Sequence, residues 1–306
     1  MRALPAFGTS VLSILLLLAP LARAKGCCKE FAPTISPIQQ ATQADVVIIG
    51  KITDLEPDLM MIEQYKGGGP VAHMIANVRI EESLAGVQGL TNLRIGFVPS
   101  NRPFQSEEFG IQLQRNGRQW RGNVNLVQGQ EACFMLQKHP TADFYVLLPY
   151  AYPIDKNELT YDADLKAVRN VLKAFREPIK ALQAKDASER QLAACALVTR
   201  YRTQRNSNAP VTVTNEPIAA DESKLILQAL SEMKWGELPF DLNGTFSVQN
   251  VFHQLGLTPQ NGWQQPQPKA NEDHNAVMDK AVSEWFKANT EKYRIQRLVA
   301  KPASAQ

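Results

Sequence analysis

The sequence predicts an α+β protein in which a small antiparallel β-barrel is followed by an all-α bundle. Residues 44–149 contain short β-branched runs separated by turn residues, which is typical of strands. A helical spacing of apolar residues begins only after Pro153. The composition, 44% hydrophobic and 21% charged, is that of a globular chain. We therefore expect a barrel domain over 25–153, a helical domain over 154–300 and a disordered tail over 301–306.

The first 24 residues have the pattern of a secretory signal peptide. An apolar run over 11–18 follows a basic start, and Ala22-Arg23-Ala24 offers a cleavage site. We expect a mature protein that is secreted, periplasmic or extracellular. The alternative is a lipoprotein anchored at the Cys27-Cys28 pair, but the charged Lys25 is a poor match to the segment that precedes a lipid-bearing cysteine. No later run is apolar enough over its length to predict a transmembrane segment.

The charge balance argues against a polyanionic partner. The whole chain carries a net charge of +3, and two of its arginines lie in the leader, which leaves +1. Basic and acidic residues nearly balance in both halves, so neither half is the basic module that nucleic-acid binding requires. The predicted partner is another exported protein or a component of the cell envelope.

The strands are predicted from short apolar runs between turn signals. A weak helix over 36–43 precedes them. Triple glycine before Pro70 and the prolines near residue 100 mark loops. The pattern favours a small antiparallel barrel or sandwich. The predicted strands are Ala44–Ile52, Met60–Tyr65, Val71–Glu81, Leu93–Val98, Gly122–Leu126, Glu131–Gln137 and Phe144–Leu148.

The helices are predicted from apolar residues that recur every three or four positions. One stripe runs from Tyr161 to Leu182 with a break at Pro178, and further helices are expected over 188–201, 221–233, 247–255 and 277–286. Residues 205–215 are predicted as a polar loop. Helix pairs joined by polar loops are typical of stacked helical repeats, and an irregular bundle is the alternative.

Four cysteines remain after leader cleavage, and export permits a disulfide. Cys195 lies in an all-apolar run and is predicted to be buried. Cys133 lies in a predicted strand and is expected to pair with Cys27 or Cys28, with Cys28 preferred because it is nearer the first packed segment. A loop of about 105 residues closed in this way would be worth roughly 4–5 kcal/mol in the chain-entropy model. No metal site is predicted, because no cysteine or histidine stands at a zinc-like spacing from the cysteine pair.

One loop and four scattered histidines are the remaining polar features. Arg115, Arg118 and Arg121 surround Trp120, which suggests either an exposed hairpin or a ligand-facing loop for an acidic or carbohydrate ligand. No nucleophile, phosphate-binding or dinucleotide motif is present, so no catalytic residue and no cofactor is predicted. The histidines are expected to be solvated or hydrogen-bonded; they are His73, His139, His253 and His274.

The order of segments in the first half resembles the netrin-like modules, which include the tissue inhibitors of metalloproteinases. The resemblance covers about residues 27–150 and implies an OB-type barrel. In the second half, further segments look like uncharacterised exported bacterial proteins that pair such a barrel with helices, and this likeness implies no activity. The segments that carry the two resemblances are Ala44–Ile52, Ala76–Gly86, Gly129–Cys133 and Phe144–Leu147, and then Arg190–Arg202, Glu222–Leu227 and Asn261–Trp263.

Inhibitors of this family chelate the zinc of their target through the free amino group and carbonyl of an N-terminal cysteine. Here the expected mature chain begins at Lys25, so the nitrogen of Cys27 is an internal amide, which cannot replace a free amine as a ligand. We therefore predict an exported, non-enzymatic binding or interaction protein. The alternatives are a protease inhibitor that acts through the N-terminal edge of the barrel, and an enzyme with a site between the two domains. The sequence nominates no residues for such a site, and a deep polar pocket lined by His139, Glu131 and residues of the helical half would support it.

Overall fold

The computed structural model describes residues 35–63, 67–99, 126–149, 151–203, 211–237, 240 and 246–302. The chain after Phe31 forms one compact unit. The expected leader, the Cys27-Cys28 pair, the loop with Arg115, Arg118, Trp120 and Arg121, and most of the strand predicted over 122–126 lie outside the described residues. The signal peptide, the lipid anchor and the role of that loop therefore stay predictions.

Five strands close a β-barrel. In barrel order they are β1, β3, β4, β6 and β5, and β5 pairs again with β1. All neighbours are antiparallel except β4 and β6, which are parallel. Two short strands extend the sheet, because β2 pairs with β3 and β7 pairs with β5. The bounds are β1 Val46–Leu55, β2 Met60–Glu63, β3 Pro70–Ala85, β4 Asn92–Phe97, β5 Glu131–Lys138, β6 Tyr145–Leu147 and β7 Ile154–Asp155.

The helices follow the predicted order. Helix α2 ends before Pro178, where the sequence predicted a break. Ser247 caps α6 by accepting a hydrogen bond from the Asn250 amide, as its position before the apolar run indicated. The bounds are α1 Pro37–Gln43, α2 Tyr161–Arg176, α3 Pro178–Leu182, α4 Ala187–Arg202, α5 Ala220–Ser231, α6 Val248–Gln254 and α7 His274–Asn289.

The region after the barrel is not all-α, which corrects the prediction. Val211–Pro217 and Gln296–Pro302 form two antiparallel strands, β8 and β9. The first lies partly inside the predicted loop over 205–215. The second includes Lys301 and Pro302, which had been assigned to the disordered tail. Each run is short in sequence, and the hydrogen bonds that define it come from a segment about 85 residues away, so local pattern alone did not reveal the pair.

Over Val46–Ile48 of β1 and Ala132–Leu136 of β5 both faces of the sheet are buried, and the two faces belong to different clusters. On β5, Ala132, Phe134 and Leu136 point into the barrel interior, whereas Cys133 and Met135 join the core that contains the helices. All five are 0% exposed. The barrel and the helices therefore share one apolar core, and the sheet continues through β7, two residues beyond the boundary expected at Pro153.

Cys133 lies within this shared core. No disulfide to Cys133 occurs among the described residues. Burial raises the pKa of Cys133 to about 12, so the thiol stays protonated at neutral pH. Because Cys27 and Cys28 lie outside the described residues, their bond to Cys133 stays a prediction. Burial of Cys195, which its apolar neighbours predicted, is confirmed.

One end of the barrel depends on a close approach between a ring and the backbone. Phe144 is 1% exposed and lies directly over Gly96 of β4. A Cβ atom at Gly96 would stand within 3 Å of three carbons of the Phe144 ring. Glycine is therefore required here by space, since its backbone angle is not in the left-handed region.

Among the described residues, every helix is too short or too polar to cross a membrane.

Candidate functional site

A cleft of about 630 Å³ lies in the region after the barrel. Four separate segments form its walls: the end of α4 at Arg202, Asn215 on β8, the loop 255–262 after α6, and residues 289–296 between α7 and β9. Its volume falls within the range of small-molecule sites. The C-terminal ends of α4, α6 and α7 therefore lie with the β8–β9 pair around one concave surface.

Arg202 is held in a defined position on one wall. Its Nε donates to the Gln254 carbonyl at 2.8 Å, and its Nη1 donates to Asn215 Oδ1 at 3.0 Å and to the Gln296 carbonyl at 3.3 Å. Gly256, in the left-handed conformation at the end of α6, leaves room for the guanidinium, because a Cβ there would lie 3.2 Å from Arg202 Nη2. The second terminal nitrogen, Nη2, has no partner among the described residues.

Two further cations, Lys292 and Arg294, line the same cleft. Arg294 donates from Nε and Nη2 to the Ile218 carbonyl, at 3.1 Å for Nε, which leaves its Nη1 without a described partner. Lys292 is exposed, and no hydrogen bond or ion pair to its Nζ occurs within the described ranges. Between them, Tyr293 turns inward and donates its hydroxyl to the Leu255 carbonyl at 2.9 Å. Three cationic side chains therefore line one cleft, and each has a nitrogen donor without a described partner.

The charged side chains of the described cleft lining are all positive. The described lining carries three positive side chains and no carboxylate. The nearest acids in sequence are engaged elsewhere: Glu291 binds Lys224 at 2.7 Å, and Glu216 binds Lys301 at 2.9 Å. A concave wall of like charge attracts ions of the opposite sign and concentrates them. The arrangement is suited to holding an anion through charge-assisted hydrogen bonds.

A smaller cavity of about 460 Å³ lies where the barrel meets the helices, the place of the predicted inter-domain site. The end of β3 and Gly86 form one side, and Leu172, Phe175 and Arg176 form the other. Arg200 stacks over the Phe175 ring at 4.1 Å, so this wall is a cation–π contact. Neither His139 nor Glu131, which would have supported an enzyme site here, lines this cavity.

Glu131 takes part in a solvated ion pair on the barrel. Its two carboxylate oxygens accept from Lys51 at 2.9 Å and from Lys156 at 2.6 Å. These hydrogen bonds lower the pKa of Glu131 to about 2, with the bond to Lys156 the larger cause. The carboxylate is therefore ionised at neutral pH, and it bridges β1 to the segment after β7.

His139 instead lies beside His73 at the end of the barrel. The ring centroids are 5.6 Å apart, and both rings contact Phe144. His73 is 3% exposed and donates from Nδ1 to the Val71 carbonyl at 2.9 Å. His139 is 5% exposed, and its Nδ1 accepts from the Thr141 amide at 3.2 Å. The two neutral rings therefore hold opposite tautomers, because a carbonyl only accepts and an amide only donates.

We expect this histidine pair to make stability depend on pH. Burial lowers the pKa of His73, which the hydrogen bond to Val71 only partly offsets. Burial lowers the pKa of His139, and the nearby His73 lowers it further. The unfolded chain therefore binds protons near pH 6.5 when the folded chain does not. Stability is fully present above that pH, and the free energy of unfolding should fall as the pH drops below it.

Urea unfolding between pH 7.5 and 5.5 measures this dependence. His139→Gln should flatten the fall in unfolding free energy over this window, whatever its effect at pH 7.5. His253→Gln is the matched control, because His253 is exposed on α6. An unchanged pH slope in His139→Gln, or an equal flattening in His253→Gln, would contradict the assignment.

The sequence did not indicate the cleft. Its cations stand at positions 202, 292 and 294, and each belongs to an ordinary polar stretch. A local signal is Lys292-Tyr293-Arg294, a basic and aromatic run between a helix and a strand. Its composition is similar to that of the Arg115–Arg121 loop, which the sequence suggests as a ligand-facing loop. Cys133 does not line the cleft, and the other residues of the predicted disulfide and of the Arg115–Arg121 loop lie outside the described residues.

Comparison with known proteins adds no identification. No protein-family model matches the chain, and no curated protein shows significant similarity to it. The function must therefore be argued from the geometry.

Proposed function

We propose that this chain is an exported, non-enzymatic binding protein that holds an anionic ligand in the cleft between α4, α7 and the β8–β9 pair. One observation carries the proposal: Arg202, Lys292 and Arg294 converge on one cavity, with no carboxylate among its described lining residues. Cations that are not neutralised by the protein itself are available to a ligand. The leader in the sequence supports export, and the ligand would then be met outside the cytoplasm.

We further propose that the barrel is of the OB type and related to the netrin-like modules. The five barrel strands in chain order are β1, β3, β4, β5 and β6. Around the barrel they follow the order first, second, third, fifth and fourth, and the fourth pairs with the first. The third and fifth, β4 and β6, are parallel. This Greek-key connectivity supports an OB-type barrel. In this proposal the barrel serves as a scaffold, since it shares its outer face with the helices that build the cleft.

Calorimetric titration of the mature chain with small anions tests the binding function. The probes are acetate, inorganic phosphate, glucuronate and glucose 6-phosphate at low ionic strength. At least one should bind, and its affinity should fall as salt is added, because salt screens exposed charges. Lys292→Glu should weaken that binding by about tenfold or more, since it reverses one of three converging charges.

Lys166→Glu is the matched control for this experiment. Lys166 is exposed on α2, outside the cleft, and its reversal makes the same change in net charge. Its affinity for the same anion should stay within about twofold of the original value, because Lys166 does not line the cleft and cannot contact the ligand. Failure of every probe to bind, or equal weakening by both variants, would refute the proposed function.

A further inference from the structure

Amide side chains line the same cleft as the three cations. Five contribute to its walls, and four of them make side-chain hydrogen bonds to the protein: Asn215, Asn261, Asn289 and Gln296; the fifth is Gln260. For each of the four, the end of the amide that is left for a ligand follows from the partner of the other end.

Two of the amides leave an oxygen available. Asn289 Nδ2 donates to the Trp285 carbonyl at 2.9 Å, and Gln296 Nε2 donates to the Arg294 carbonyl at 2.9 Å. A carbonyl only accepts, so in both residues the nitrogen is the end that is engaged. The oxygens, Asn289 Oδ1 and Gln296 Oε1, have no partner in the part of the chain that the structure describes. They are acceptors for a ligand.

The other two amides leave a nitrogen available. Asn261 Oδ1 accepts from the Thr258 amide at 3.1 Å, and Asn215 Oδ1 accepts from Arg202 at 3.0 Å. The oxygen is the engaged end in both cases, and the nitrogens have no other partner within the described ranges. Asn261 is further fixed because its backbone carbonyl accepts from Trp285 Nε1 at 2.9 Å. The cleft therefore presents neutral donors and neutral acceptors beside its cations.

This mixture selects between kinds of anion. An inorganic anion carries acceptor oxygens that suit the cations and the amide nitrogens. Against the amide oxygens of Asn289 and Gln296 its unprotonated oxygens would place like partial charges, so only a protonated oxygen, such as a P–O–H group of phosphate, could donate to one of them. A hydroxyl group both donates and accepts, so it can meet an amide oxygen and an amide nitrogen alike. A cavity of about 630 Å³ also exceeds what a single phosphate fills.

We infer that the ligand of the cleft is a hydroxylated organic anion, of the size and chemistry of a sugar acid or sugar phosphate. The inference rests on the proposed function, because it assigns the cations to the anionic group of the ligand. It adds that the hydroxyl groups of the ligand bind the amides, with Asn289 and Gln296 as acceptors. The arrangement distinguishes such a ligand from a neutral sugar and from an inorganic ion.

Calorimetry on the full mature chain tests the ligand class with glucuronate, glucose 6-phosphate, glucose and inorganic phosphate as probes. At least one hydroxylated anion should bind about tenfold or more tightly than both inorganic phosphate and glucose. Gln296→Leu removes one acceptor and should weaken that binding by about fivefold or more, because buried polar groups of the ligand lose a partner. It should change phosphate binding by less than about twofold.

A second acceptor variant and Lys292→Gln separate the possible results. Asn289→Leu repeats the test on another wall, in case Gln296→Leu disturbs β9. If phosphate binds as tightly as the hydroxylated anions and Lys292→Gln weakens it, the inference is wrong and the proposed function stands. If glucose binds as tightly as glucuronate, the inference is also wrong, because the cations contribute nothing. If no anion binds, or if Lys292→Gln leaves anion binding unchanged, both the inference and the proposed function are wrong.

Discussion

Gly96→Ala should destabilise the protein by about 3 kcal/mol, the upper part of the range for overpacking a core. The added Cβ would lie within 3 Å of three carbons of the Phe144 ring, and that ring is 1% exposed, so it has no free space to enter. Gly96 is paired on both sides, to Ile75 of β3 and to Val146 of β6, so its backbone cannot retreat without breaking barrel hydrogen bonds. Urea unfolding followed by circular dichroism measures the loss.

Gly69→Ala provides the matched control. Gly69 has no atom within 4 Å of an added Cβ and no left-handed backbone angle, so this variant should stay within about 0.5 kcal/mol of the original protein. The pair Gly96→Ala and Phe144→Leu should cost less together than the sum of the two separate losses, because the smaller side chain makes room. A neutral Gly96→Ala, or strict additivity in the pair, would mean that Phe144 does not lie on Gly96.

Met135→Ala should lower the stability of the barrel and of the helices together, by about 2–5 kcal/mol. Met135 lies on β5 and is 0% exposed, and it belongs to the core that contains α2, α4, α5, α6 and α7. Tryptophan fluorescence reports on the helices, because Trp235 and Trp285 are buried among them. In urea the fluorescence transition of Met135→Ala should move as far as the circular dichroism transition.

Met61→Ala controls for loss of a methionine. Met61 lies on β2 and is 62% exposed, so its removal should change the unfolding free energy by less than about 0.5 kcal/mol. If the barrel and the helices unfolded independently, Met135→Ala would leave the tryptophan transition in place. That result would contradict a shared core and would favour two separately stable domains.

Most of the regular structure could be predicted from local pattern. The β-branched run of β1 and the apolar run of β5 are long enough to be recognised, and both occur where they were expected. The stripe from Tyr161 predicted α2, and Pro178 predicted its end, because proline lacks the amide that a continuing helix needs. The burial of Cys195 followed from its neighbours in the same way.

Helix starts were predicted less well. The sequence predicts a helix from Ser188, but α4 begins at Ala187 and its cap is Asp186, whose carboxylate accepts from the Glu189 amide at 3.1 Å. Asp221 was expected at the start of α5, but the helix begins one residue earlier and Asp221 lies in its first turn. Several acidic and hydroxyl residues near each start fit the same pattern, and the backbone conformation decides which of them caps.

The sequence by itself determined the change from strands to helices near Pro153 and which runs are apolar enough to be buried, because these depend on residues close together in the chain. The tertiary structure alone decided that the barrel closes, that β8 and β9 pair, and that Cys133 and Met135 face the helices. It also brought Arg202 to Lys292 and Arg294. Each of these contacts joins residues far apart in sequence, and the energy that selects them comes from packing and hydrogen bonding between segments rather than within one.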